Sequence, residues 1–135
     1  MLNFITMITI EKLSKTYNDK TVLDIDYLEI SRKETIGLVG NNGAGKTTLF
    51  SLLLDLIQAS TGSVSIDGEK VNETEAWKNK VSAFIDESFL IGYLTPEEYF
   101  YFLGELRGKT KDEVDAFLKD FEDFCLVAEM LKDKK

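Results

Sequence analysis

Residues 40–48 read GNNGAGKTT, and Gly40, Gly45, Lys46 and Thr47 match the phosphate-binding loop pattern G-x-x-x-x-G-K-[ST]. No other feature narrows the possible folds as much, because the pattern works only where a strand runs into a tight loop that opens a helix. Glycines let the backbone turn with φ > 0 and present a row of N–H groups to phosphate oxygens. The helix opening near Thr47 adds unpaired N–H donors and the positive end of its dipole. Lys46 brings a point charge that stabilises phosphate negative charge, which makes it the candidate catalytic residue of this stretch. The Thr47 hydroxyl is a candidate ligand for Mg²⁺. Gly43, Ala44 and Thr48 complete the candidate phosphate cradle. Asn41 and Asn42 either add polar contacts there or simply tolerate the backbone turn.

The remaining composition restricts what such a loop serves. A chain of 135 residues, 44% apolar and 30% charged, is long enough for one domain with a core. Its net charge of −8 argues against a nucleic-acid partner, whose affinity rests on clustered Lys and Arg. A free nucleotide needs only the local loop. The sequence contains no His, which removes the commonest general base and the usual zinc constellations. Its single Cys, Cys125, sits on an apolar helical stripe and reads as a reduced core thiol of a cytosolic protein. No run reaches the length of a transmembrane helix, and residues 1–10 lack the features of a signal peptide.

Along the chain, residues 7–30 show strand-like alternation, with Ile8, Ile10 and Leu13 alternating with polar residues and Asn18-Asp19 marking a turn. Residues 34–39 form a short apolar strand leading into the loop, and residues 46–57 a helix with Leu49, Leu52, Leu53 and Leu56 inward. A strand at 63–66, an Asp67-Gly68 turn, a polar irregular stretch to Lys80 and a strand at 81–85 follow. Thr95-Pro96-Glu97-Glu98 is a capping box that starts a helix over 96–107, closed by Gly108. Thr110 to Glu113 repeats the box, and Val114, Phe117, Leu118, Phe121, Phe124, Cys125 and Ala128 then recur at helical spacing.

Three stretches besides the loop carry a family resemblance: Leu13-Ser14-Lys15-Thr16-Tyr17 ahead of Val22-Leu23, the segment STGSVSIDG at 60–68, and Leu94-Thr95-Pro96-Glu97-Glu98 leading to Leu103-Gly104. In their order and spacing they resemble the ATP-binding subunit of ABC transporters, from about Met7 to the last residue. The resemblance implies an α/β fold: a P-loop NTPase core with an antiparallel β opening subdomain and the start of an α-helical subdomain, incomplete at the C-terminus. Residues 1–87 would form the ATP-binding core and 88–135 the start of the helical subdomain. By the same resemblance Tyr17 stacks on the adenine ring, Val22 packs beside that ring, and ATP and Mg²⁺ are the cofactors. A transmembrane subunit and a second nucleotide-binding subunit are the implied partners. The implied location is the cytoplasm, at the inner face of the membrane. The surface around 86–95, with Phe84, Phe89, Leu90, Ile91 and Tyr93, looks like the one that receives a short helix of the membrane subunit. Ordinary packing between two lobes is the other reading of the same residues.

The sequence departs from the family pattern in two places. Where similar proteins carry a Gln that contacts Mg²⁺ and the attacking water, this chain has Glu87, either a metal-linked sensor or a solvated loop acid. Alternatively, Asp86 and Glu87 after an apolar strand form the magnesium and water-activating pair of a complete small hydrolase. The family's Ser-Gly-Gly signature, its later Asp and catalytic Glu, and its switch His are absent from these 135 residues. The expectation is therefore an N-terminal portion of a longer subunit that binds nucleotide, hydrolyses it slowly or not at all, and self-associates through exposed sheet edges. A non-hydrolytic binding or assembly module is the remaining alternative.

Overall fold

The structure is a computed structural model that describes residues 6–86, 88 and 90–121. Its chain divides into two compact units, Met1–Ile85 and Asp86–Lys135. In the first unit, strands β1 (Thr6–Tyr17), β2 (Lys20–Ser31), β3 (Thr61–Ile66) and β4 (Glu69–Lys70) make one antiparallel sheet in the order β2-β1-β3-β4. Helix α1 spans Lys46–Leu53, and a 3₁₀ turn spans Ala76–Lys80.

Two turns of one kind set the strand registers. Asn18 and Asp19, at φ 44° and 65°, join Tyr17 to its partner Lys20, and Asp67 and Gly68, at 55° and 81°, join Ile66 to Glu69. A two-residue loop with both residues left-handed has the twist that antiparallel strands need. The sequence places its turn residues, Asn-Asp and Asp-Gly, at these two points.

A bulge in β1 explains how the core residues line up. Ile10 and Leu13 are both fully buried in the same cluster, although strict alternation would put them on opposite faces. Lys12 adopts φ 47°, and the pairing with β3 slips between Glu11 and Ser14, so one inserted residue resets the parity. Gly62 lies opposite at φ 76°, where an added Cβ would overlap the carbonyl oxygens of Glu11 and Lys12. Val64, Ile66, Leu49, Leu52, Val71 and Trp77 complete the core. Trp77 belongs to the stretch read from sequence as polar and irregular, yet it is 2% exposed and donates its indole N–H to the Val71 carbonyl at 3.0 Å.

Three expectations are corrected. Residues 34–39 and 81–85 form no strands: both run without regular structure, and Ile36, Leu38, Val39 and Phe84 are exposed. A strand exists only as part of a hydrogen-bonded ladder, and the ladder of the described sheet is made by β1 to β4. Helix α1 ends at Leu53 rather than near 57, because Asp55 turns left-handed at φ 53°. Leu56 N–H then reaches back to Ser51 O at 2.8 Å and Asp55 N–H to Leu52 O at 3.2 Å, a Schellman closure that leaves Leu56 exposed.

In the second unit, α2 (Pro96–Leu106) and α3 (Lys111–Lys119) both begin with full capping boxes, at Thr95/Glu98 and Thr110/Glu113. Gly108, at φ 68°, ends the first helix, and Lys109 N–H bonds Gly104 O at 2.9 Å. Val114 is buried, while Phe117 and Phe121 stay exposed with ring centroids 4.9 Å apart. Phe124, Cys125 and Ala128 lie outside the described residues.

A charge network fastens the sheet end. Asp67 pairs with Arg32, which follows β2, and with Lys80 at 2.9 Å, and Lys80 also meets Glu69 at 3.5 Å. Hydrogen bonds from Lys80 and then Arg32 hold the Asp67 carboxyl below its ordinary 3.8, and Asp67 raises Lys80 above its ordinary 10.5. The Asp67 contribution is thus present above pH 3.8 and is lost as pH falls through its depressed value; the Lys80 contribution is present below pH 10.5 and is lost as pH rises through its elevated one.

Two outcomes are expected. Gly62→Ala forces a Cβ onto two carbonyls at a left-handed residue and lowers unfolding free energy in urea by at least about 2 kcal/mol. Asp67→Asn keeps the turn conformation but removes the pairs. Its deficit in melting temperature relative to the unsubstituted chain is present near neutral pH and closes in acid, below the range where Asp67 ionises.

Candidate functional site

The phosphate loop occupies residues 40–48 between the irregular segment and α1. Gly43 and Gly45 take φ 83° and 87°, and Gly45 is the N-cap of α1, with no side chain bonded to the helix end. The first-turn N–H groups of a helix have no intrahelical acceptor, so an uncapped start is a ready anion site. Ala44 N–H bonds Asn41 O at 3.1 Å and closes the loop on itself.

Lys46 folds back along this loop. Its ammonium donates to Gly40 O at 2.6 Å and Asn41 O at 2.8 Å, which places the cation over the concavity and leaves a third donor for a ligand. Thr47 is exposed at the helix start, as a hydroxyl ligand for a metal must be, and Thr48 is half-buried beside it. Asn41 contributes through its backbone carbonyl, and Asn42 lies in the exposed turn.

Strand β2 approaches this loop from the side. A Cβ on Gly45 would lie 2.6 Å from the Val22 carbonyl oxygen and 3.6 Å from Leu23 Cδ1, so only glycine lets the loop and strand meet. Val22 follows the hairpin turn closely, and Tyr17 ends the paired strand before it. The hairpin end that bears Tyr17 is therefore tied to the loop by backbone packing. Tyr17 is 47% exposed.

The second candidate metal residue, Glu87, lies outside the described residues. Asp86 accepts from the N–H of Ser88 at 2.7 Å and from its hydroxyl, and these bonds, the hydroxyl first, lower its pKa. Of the candidate partner surface, Phe84, Leu90 and Tyr93 are exposed and Ile91 is half-buried, while Phe89 lies outside the described residues.

The sequence profile of the ABC transporter family matches residues 23–134. The chain belongs to that family. It is 30% identical over 129 residues to the linearmycin resistance ATP-binding protein LnrL of Bacillus subtilis (strain 168), covering 95% of this chain and 42% of that protein. Against the ABC transporter ATP-binding protein NatA of the same organism it is 31% identical over 121 residues, covering 84% of this chain and 49% of that one. A solved structure of an ATP-binding subunit of an ABC transporter superposes with a TM-score of 0.75 at 25% identity, covering 87% of this chain and 50% of that one. The chain thus spans about half the length of these relatives or less. Its fold is that of an ABC ATP-binding subunit over the part it shares: antiparallel sheet, phosphate loop and helical unit.

The sequence reading set the Val22 side chain beside a base; the structure shows in addition that its backbone carbonyl faces the Gly45 Cα. No side-chain pattern signals a backbone approach. Gly45→Ala is expected to push Val22 away from the loop and to weaken binding of inorganic tripolyphosphate at least about tenfold by calorimetry, since the loop N–H groups lose their common focus.

Proposed function

We propose that this chain is the nucleotide-binding part of an ABC transporter ATPase that takes up ATP with Mg²⁺ and works with a transmembrane subunit and a second nucleotide-binding subunit at a membrane surface. The observation that carries the reading is the loop itself: left-handed Gly45 against Val22, an uncapped α1 start, and the Lys46 ammonium held over the loop carbonyls. These residues fit a triphosphate. Gly40, Asn41, Asn42, Gly43, Ala44, Gly45 and Thr48 surround the phosphates, Lys46 offsets their charge, and Tyr17 and Val22 take the base. The Thr47 hydroxyl would hold Mg²⁺, together with Glu87. Bound there, the metal would neutralise charge on the phosphate oxygens.

Binding and hydrolysis are separable on this reading. Lys46 and the loop stabilise charge, but the sequence contains no His, and the Asp86 carboxylate is engaged with Ser88. The chain therefore binds ATP and turns it over slowly or not at all. The exposed apolar side chains of Ile36, Leu38, Val39 and Phe84 favour self-association of the isolated chain. No helix of the described residues is long and apolar enough to cross a membrane.

Calorimetry with Mg²⁺–ATP is expected to show binding that Lys46→Ala weakens by at least about tenfold, near 1.4 kcal/mol. Rapid ATP turnover by the 135-residue chain, abolished by Glu87→Gln, would overturn this and assign hydrolysis to Asp86 and Glu87 as a self-sufficient pair.

A further inference from the structure

We propose that Lys15 is a positioning residue for the base: it closes one face of the Tyr17 ring, ties that ring to the chain leaving α1, and makes Tyr17 a one-sided platform for a purine. The inference rests on Tyr17 being the base-stacking residue of the proposed function. Its observations are independent of the phosphate loop. Lys15 and Tyr17 are two residues apart on β1, so their side chains share a face of the strand. The Lys15 ammonium stands 4.8 Å from the Tyr17 ring centroid, within the range of a cation–aromatic contact. The same ammonium donates to the Gln58 carbonyl at 2.6 Å.

Gln58 belongs to a segment that grips this end of β1 at several points. Ser60 N–H bonds Ser14 O at 2.9 Å, Thr16 N–H bonds Ser60 Oγ at 3.0 Å, and the Ser14 and Thr61 hydroxyls meet at 2.8 Å. Lys15 is thus held from behind by a carbonyl on a strapped segment, and its charge is fixed against one ring face. A ring at the end of a hairpin otherwise rotates about two side-chain torsions. With one face taken, a flat heterocycle has only the opposite face to stack on, which gives the order cation, phenol, base. Holding the ring in advance lowers the ordering cost of binding. Residues 58–61 follow α1, whose other end opens at the phosphate loop. Lys15 therefore links the base platform to the same stretch of chain that places the phosphates.

The test separates base from phosphate recognition in one calorimetric series, with Mg²⁺–ATP and inorganic tripolyphosphate as the two probes. Lys15→Met keeps the aliphatic stem and removes the charge. It is expected to weaken ATP about two- to fivefold, the size of one exposed cation–aromatic contact, and to leave tripolyphosphate unchanged. Lys15→Arg, which also stacks and donates, is expected to restore ATP affinity. Unchanged tripolyphosphate binding reports an intact loop. Equal weakening of both probes by Lys15→Met would overturn the proposal, because a general charge or folding effect does not distinguish the base. So would an unaltered ATP affinity while Tyr17→Ala weakens it, which leaves the nucleotide reading standing. Absence of ATP binding by the unsubstituted chain would overturn both.

Discussion

The contact between the Val22 carbonyl and the Cα of Gly45 is the constraint on which the site depends. It brings a sheet strand within backbone distance of the loop at the residue that starts α1. Without a side chain at that position the strand needs no detour, and Val22 and the preceding hairpin turn follow at a set distance. The left-handed backbone of Gly45, at φ 87°, then aims the α1 N–H groups into the loop rather than along the strand. The candidate phosphate loop and the hairpin end that bears Tyr17 thereby share one meeting point. Lys46 adds charge to a concavity that the backbone has already shaped.

A second close approach secures the sheet that carries β2. Gly62 lies against the carbonyls of Glu11 and Lys12, where the β1 bulge brings Leu13 into register with Ile10. The bulge gives β1 a buried row on one side, and α1 packs there through Leu49 and Leu52. Trp77 belongs to the same core and donates its indole N–H to the Val71 carbonyl. The stretches that distinguish this family, LSKTY and STGSVSIDG, are in this sense sites where two backbones nearly touch: Ser60 and Thr61 bond Ser14 and Thr16, and Gly62 meets Lys12.

Legibility followed the range of the interaction. Capping boxes at Thr95 and Thr110 and turns at Asn18-Asp19 and Asp67-Gly68 were read correctly, because each is decided within four residues. Strands at 34–39 and 81–85 were read incorrectly, since apolar β-branched runs report the capacity to pair and not the presence of a neighbour. Leu56 was assigned to a helix face from periodicity, but the left-handed Asp55 ended the helix first. Trp77 was hidden by its polar surroundings, and only the fold brings Val71 beneath it.

By itself the sequence determined the loop motif of Gly40 to Thr48, the two hairpin turns, both capped helices and the family, because these are written in residue types at short, fixed spacings. Only the tertiary structure decided that the Val22 carbonyl lies against Gly45, that Lys15 is held between Gln58 and the Tyr17 ring, that Trp77 is core, and that 34–39 lies outside the sheet. The physical reason is that a local motif specifies its own dihedral angles and hydrogen bonds, whereas a contact between distant segments exists only once the chain has folded to bring them together.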